Sequence, residues 1–294
     1  MDFFLQLLLP GICVGAVYAL GAIGFVLIYK ASKIFNVAHG EMMMTGALVA
    51  VTFAVKLELP MFLAFLCALV VTAIIGMIIQ FLIIRPLTGQ SLFSILMATV
   101  ALIFVFRGGS LLLWSHKFYA YPGQIFPLKS LMLGGAILAP SYINSLLLAI
   151  IMIILLGIYF KFTKSGLTMR AIADDVQLAE SIGVRVGKSF GVVWALAGAT
   201  AAVGGISLGM LTNVDVMLGE LGLKVLPVVV VGGMESIAGA CIGGLIVGIT
   251  SSLSGGYLEG YLPGFKDVAP FIIMLIVLLI RPNGIFGEKR IERI

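Results

Sequence analysis

Seven apolar runs, at 3–29, 61–84, 92–114, 141–160, 189–211, 236–254 and 268–281, decide what this chain can fold into. Most reach the ~20 residues a helix needs to cross a bilayer, and in lipid a helix satisfies its own backbone hydrogen bonds. The last run is short and can begin earlier. The stretch 36–55 reads as a further span with a polar, unwound entrance, NVAHGE. With 61% hydrophobic residues, 11% charged residues and a mean hydropathy of +1.21, the 294 residues leave almost nothing for an aqueous domain. The expectation is an all-α polytopic membrane protein with about 8–10 transmembrane helices, forming one transmembrane domain over 1–294. The first run is too long for a signal-peptide core and has no basic residue before it, so it is read as a retained span.

Basic residues orient the spans. If the polar interval 161–188 and the tail after Arg281 face the cytoplasm, an even number of crossings must separate them, and the clear runs supply three. The missing crossing falls between 212 and 235. Its candidate is LGLKVLPVVVVGGMES from Leu221, short and interrupted by Pro227, Gly232 and Gly233, which reads as a discontinuous helix. Nine crossings with the N-terminus outside place twelve basic residues on the inner side, among them Lys30, Lys33, Arg85, Arg281, Lys289, Arg290 and Arg293. Five remain outside, Lys56, Lys117, Lys129, Lys224 and Lys266, and Arg107 lies within a span. The net charge of +5 is thus an orientation signal and implies no nucleic-acid partner. Glycine pairs four apart, such as Gly11 and Gly15 or Gly244 and Gly248, mark close helix packing. A weak likeness between TGALVAV after Met44 and AGACIGG after Ile237 hints at an internal repeat.

The interval 161–188 is the one long polar stretch, with eight charges, and it stays in water. Met169, Ile172, Val176, Ala179 and Ile182 fall at helical spacing, with Arg170, Asp174, Gln177 and Ser181 on another face. A single amphipathic helix is predicted, capped by Thr168, paired through Arg170 and Asp174, and stopped at Gly183. It either lies on lipid headgroups or docks on a protein. Three acidic residues make it a poor headgroup binder.

Catalytic signals are few. No His/Glu metal spacing and no nucleophile elbow occur, so no catalytic or metal residues are assigned. GVRVGKS at 183–189 is one residue short of a phosphate loop and follows no strand. Cys13, Cys67 and Cys241 sit in apolar runs without ligand spacing and read as packing residues, with no disulfide expected. The internal clues are ionisable groups at membrane depth. Arg107 either pairs with a residue such as Glu41, lines a wet cavity, or reaches the headgroups. Asn36, His39 and Glu41 form either an aqueous cap to their span or part of a solute path. Met42, Met43 and Met44 read as packing.

These residues together resemble a known family. GAVYALGAIGFVLIY at 15–29, FNVAHGEMMMTGA at 35–47, MRAIADDVQLAESIGV at 169–184, VVVGGMESIAGACIGGLIVGI at 229–249 and FKDVAPFIIMLIVLLIRPNGIFG at 265–287 resemble LivH-type permeases of branched-chain amino acid ABC importers. The stretch 115–140 offers little match. The resemblance implies a multi-pass subunit of a bacterial-type inner membrane, joined to a second homologous permease, two ATP-binding cassette subunits and an extracytoplasmic solute-binding protein. ATP would be bound by the partner subunits, with no cofactor on this chain. Arg170, Ala171, Asp174, Ala179, Glu180 and Gly183 match the family's ATPase-coupling motif, in a looser version of its EAA-and-glycine pattern. Asn36, His39, Glu41 and Arg107 become candidates for the translocation pathway. Urea, short amides or other small amino acids are alternative substrates. A self-sufficient secondary carrier is the rival class, and it leaves the polar interval without a role.

Overall fold

The computed structural model describes residues 2–133 and 135–287, which form a helical bundle. Lys289, Arg290 and Arg293, counted among the inner charges, lie outside the described residues. α1 (Asp2–Ser32) is followed by α2 (His39–Val51), which continues through one wider turn, Thr52–Lys56. Then come α3 (Met61–Ile79), whose helical path runs on to Leu87, α4 (Leu92–Trp114) and α5 (Pro140–Phe162). α6 (Lys164–Asp174) and α7 (Val176–Ser181) occupy the polar interval, and α8 (Val186–Thr212) leaves it. α9 (Leu218–Leu221) leads through one tight turn into α10 (Val225–Gly232), before α11 (Ile237–Tyr257) and α12 (Phe265–Ile280). Among the described residues, six helices, α1, α3, α4, α5, α8 and α11, are long and apolar enough to cross a membrane. α2 with its extra turn, α9 with α10, and α12 are shorter helices that fall on the remaining segments expected to cross.

The predicted discontinuous crossing is present, with different boundaries. It begins at Leu218 rather than Leu221, and Pro227 does not break it. Pro227 is the third residue of α10, where a backbone N–H has no partner four residues back to lose. The stop is Gly233, at φ +105°. There the chain end closes over α10: the Ile285 N–H donates to Val231 O at 2.9 Å and the Phe286 N–H to Gly232 O at 3.1 Å. A second difference lies at 115–139, where a small antiparallel hairpin (β1, Leu131–Leu133; β2, Ala136–Leu138) interrupts the otherwise all-helical chain.

Two halves of the bundle repeat one plan. α1 and α8 each end at a non-glycine residue with positive φ, Lys33 at 55° and Asn213 at 79°. Each of these donates its N–H to the carbonyl four residues back, Tyr29 at 2.7 Å and Gly209 at 3.0 Å. A non-helical linker, a short helix and a long helix follow in both cases. α1 packs closely on α11, and α3 on α8. Gly15 meets Gly244 and Leu245 while Gly11 meets Ile249, so α1 and α11 run antiparallel with backbones in contact. Gly24 lies against Thr200 and Gly21 against Gly204, so α1 and α8 are antiparallel too. The second copy is therefore inverted relative to the first. This repeat pairs α2 with α10; the likeness between TGALVAV in α2 and AGACIGG in α11 is not its trace.

Candidate functional site

Asn36 and Ala38 of the linker and the start of α2 are buried in the bundle, while Lys33, Ile34, Phe35 and Val37 stay partly exposed. The Thr99 hydroxyl of α4 lies between Leu96 O of its own helix, at 2.8 Å, and Phe35 O of the linker, at 3.2 Å, and its one hydrogen is shared between them. Asn36 is 1% exposed and His39 2%. Gly24 leaves the room His39 occupies, since a Cβ there would lie 2.6 Å from the imidazole Cε1. Neither ring nitrogen of His39, nor Asn36 Oδ1, has a protein partner among the described residues. Gly40 touches α9: a Cβ on it would stand 2.7 Å from Gly219 O and 3.0 Å from Gly222 Cα. Met42, Met43 and Met44 are fully buried packing residues.

Glu41, in the first turn of α2, is 3% exposed and meets Arg107 from α4. Arg107 Nε donates to Glu41 Oε1 at 2.8 Å, and Nη1 donates to Glu220 Oε1 at 3.2 Å. Arg107 stands fifteen residues along α4 from Leu92, or about 22 Å, and about 10 Å short of its far end. Of the three fates considered for Arg107, pairing with Glu41 is the one observed. Glu220 went unnoticed in the sequence. The signal was a repeated dipeptide, Gly40-Glu41 at the start of α2 and Gly219-Glu220 at the start of α9. In both units the glycine packs on the opposing half and the glutamate reaches Arg107.

The polar interval departs from the single helix expected. Asp175 breaks it, with φ −155° and ψ 113°, and its side chain accepts from the Leu178 N–H at 2.9 Å, capping α7. α6 is capped by Thr163, which accepts from the Gly166 N–H at 2.9 Å, and not by Thr168, whose hydroxyl bonds back to Lys164 O. Arg170 and Asp174 make no ion pair and both are exposed. Met169, Ile172 and Ala179 are buried, whereas Val176 and Ile182 face outward. Gly183 does stop α7, at φ +89°, with the Val184 N–H on Ala179 O and its own N–H on Glu180 O, a Schellman closure. The exposed face combines Arg170, Asp174 and Glu180 with Leu167, Leu178 and Ile182. Ala171 is half-buried and Ala179 sits beneath, against Ile172 and Val186. A cavity of about 130 Å³ separates Met169 and Arg170 from Leu27 and Lys30 of α1.

Comparison with known proteins decides what this bundle is. The family model described as the permease component of branched-chain amino acid transport systems matches residues 7–278. The chain belongs to this permease family. The permease is 29% identical to the high-affinity branched-chain amino acid transport system permease protein BraD of Pseudomonas aeruginosa, over 99% of this chain and 98% of that one. It is 28% identical to the corresponding protein LivH of Escherichia coli K12, with the same coverage, and 28% identical to a probable LivH of Methanocaldococcus jannaschii over 93% and 90%. Among solved structures, PsaBC from Streptococcus pneumoniae in complex with Fab aligns with a TM-score of 0.51 at 18% identity, covering 97% of the permease and 94% of that chain, and shares the fold.

Proposed function

We propose that this permease is the membrane-spanning subunit of an inner-membrane ABC importer for branched-chain amino acids. The observation that carries the reading is the match over residues 7–278 to a branched-chain amino acid permease family, with named relatives aligned end to end. In this reading a second homologous permease completes the passage, two ATP-binding cassette subunits hold and hydrolyse ATP, and a solute-binding protein delivers the amino acid from outside. In this reading ATP is bound on the partner subunits, and the permease needs no cofactor or metal of its own.

Arg170, Ala171, Asp174, Ala179, Glu180 and Gly183 dock the ATPase through the two short helices. What supports this is the exposure of Arg170, Asp174, Glu180 and Gly183 on α6 and α7, beside the exposed Leu167, Leu178 and Ile182, with Ala171 and Ala179 packed behind them. ATP-driven closure of the cassettes pushes α6 against the inner end of α1, across the small cavity at Met169, and rocks the inverted halves about their contact. The passage includes Asn36, His39, Glu41 and Arg107, joined by Glu220, because these polar groups lie where the two halves meet.

Copurification of the tagged chain, followed by mass spectrometry, tests the assembly. Recovery of a second permease and ATPase subunits is expected. A chain that purifies alone overturns the reading.

A further inference from the structure

We propose that Arg107 and Glu220 form a headgroup site for a free zwitterionic α-amino acid, with Glu41 behind them as the buried residue that aims the guanidinium. The inference rests on the reading that this cluster borders the passage, and it specifies which substrate chemistry the cluster handles.

The two contacts of Arg107 are unequal. The bond to Glu41 is 2.8 Å long and goes to a side chain 4% exposed, while the bond to Glu220 is 3.2 Å and goes to one 46% exposed. The first is a fixed anchor and the second an exchangeable one. A guanidinium carries five donors in a planar fork that fits a carboxylate through two parallel bonds. Here two donors are used, on two different carboxylates, and Nη2 has no partner among the described residues. An incoming carboxylate that takes Nη1 and Nη2 together replaces one long bond with a bidentate pair. Glu220, once displaced, is a half-exposed carboxylate a side chain's length away. The ammonium of the same amino acid is the group that neutralises it.

Charge counting selects the class of ligand. One guanidinium and two carboxylates leave the cluster at −1, and a zwitterion leaves that total unchanged. A simple carboxylic acid would displace Glu220, leave it unpaired beside the incoming carboxylate and bring the total to −2, which like-charge repulsion opposes. A simple amine would cancel the −1, but it brings nothing for Nη2 and must compete with Arg107 for both carboxylates. The placement agrees with this use: Gly40 packs on Gly219 and Gly222 at the contact between inverted halves, the region where transporters built from such repeats hold their solutes.

The test uses the full complex in liposomes, without the solute-binding protein, with Cys13, Cys67 and Cys241 replaced by alanine and a reporter introduced as Leu223→Cys. Leu223 is 39% exposed and lies one turn beyond Glu220. A charged, water-soluble thiosulfonate labels the reporter, and leucine, 4-methylpentanoate and 3-methylbutylamine are compared as protectants. The expected result is labelling that leucine slows about tenfold more effectively than either single-charge analogue. Protection by leucine is expected to weaken about tenfold in Arg107→Gln and in Glu220→Gln. The second variant leaves no buried charge unpaired, so it reads the site even if the first does not assemble. Labelling on which the three compounds act equally, or not at all, overturns the headgroup site and leaves the passage reading standing. A reporter that never labels removes both.

Discussion

Glu41 and Arg107 are the pair on which the interior of this permease turns. An uncompensated charge at bilayer depth is costly, so each residue depends on the other. Arg107→Gln alone is expected to lower thermal stability of the purified complex, and Glu41→Gln with Arg107→Gln together to recover part of it. A coupling of about 1–3 kcal/mol is expected from the cycle. Additive losses would mean that the ion pair contributes nothing as a pair. Gly40 makes a steric demand instead of an electrostatic one. A Cβ on it meets Gly219 O at 2.7 Å, so Gly40→Val forces α2 and α9 apart. We expect a loss of about 1–3 kcal/mol or failure to assemble, read as a lower melting temperature or yield. The pairing of Arg107 with Glu41 was within reach of the sequence, but the contacts with Glu220 and Gly222 were not, because these come from the far half of the chain. Pairing across an inverted repeat leaves no local pattern beyond the repeated Gly-Glu dipeptide.

At the scale of elements, apolar run length was a sound guide. Each long run became a helix, since lipid permits little else. Where it fell short, side-chain chemistry outweighed periodicity. The stripe from Met169 to Ile182 suggested one helix, yet Asp175 turned the backbone extended and capped a new one. Asp175→Ala is expected to remove about 1 kcal/mol of capping and to let α6 and α7 merge, which reduces amino acid uptake while leaving expression unchanged. Unchanged uptake would show that the break is incidental. On the exposed face, Asp174→Lys or Glu180→Lys is expected to weaken ATPase copurification and abolish uptake without affecting membrane insertion. Normal copurification and uptake in both variants would remove the coupling role.

At the scale of the whole molecule, α1 to α3 and α8 to α11 repeat one arrangement, related by inversion, and Arg107 of α4 joins them at the ion cluster. The membrane topology is an expectation that rests on the distribution of lysine and arginine. A reporter fused after Asn213 is expected to read extracytoplasmic and one at Ser236 cytoplasmic, and identical readings would remove the crossing formed by α9 and α10. The hairpin at 131–138 was invisible because three-residue strands carry too little alternation to register. In the proposed mechanism, ATP hydrolysed on partner subunits drives the spans. The most direct measurement is leucine uptake by the copurified complex in liposomes, with the solute-binding protein outside and ATP inside. Uptake that requires ATP and is lost with Glu180→Lys is the result this account predicts. Uptake by the isolated chain without ATP would contradict it and make the Glu41–Arg107–Glu220 cluster the driving machinery of a self-sufficient carrier.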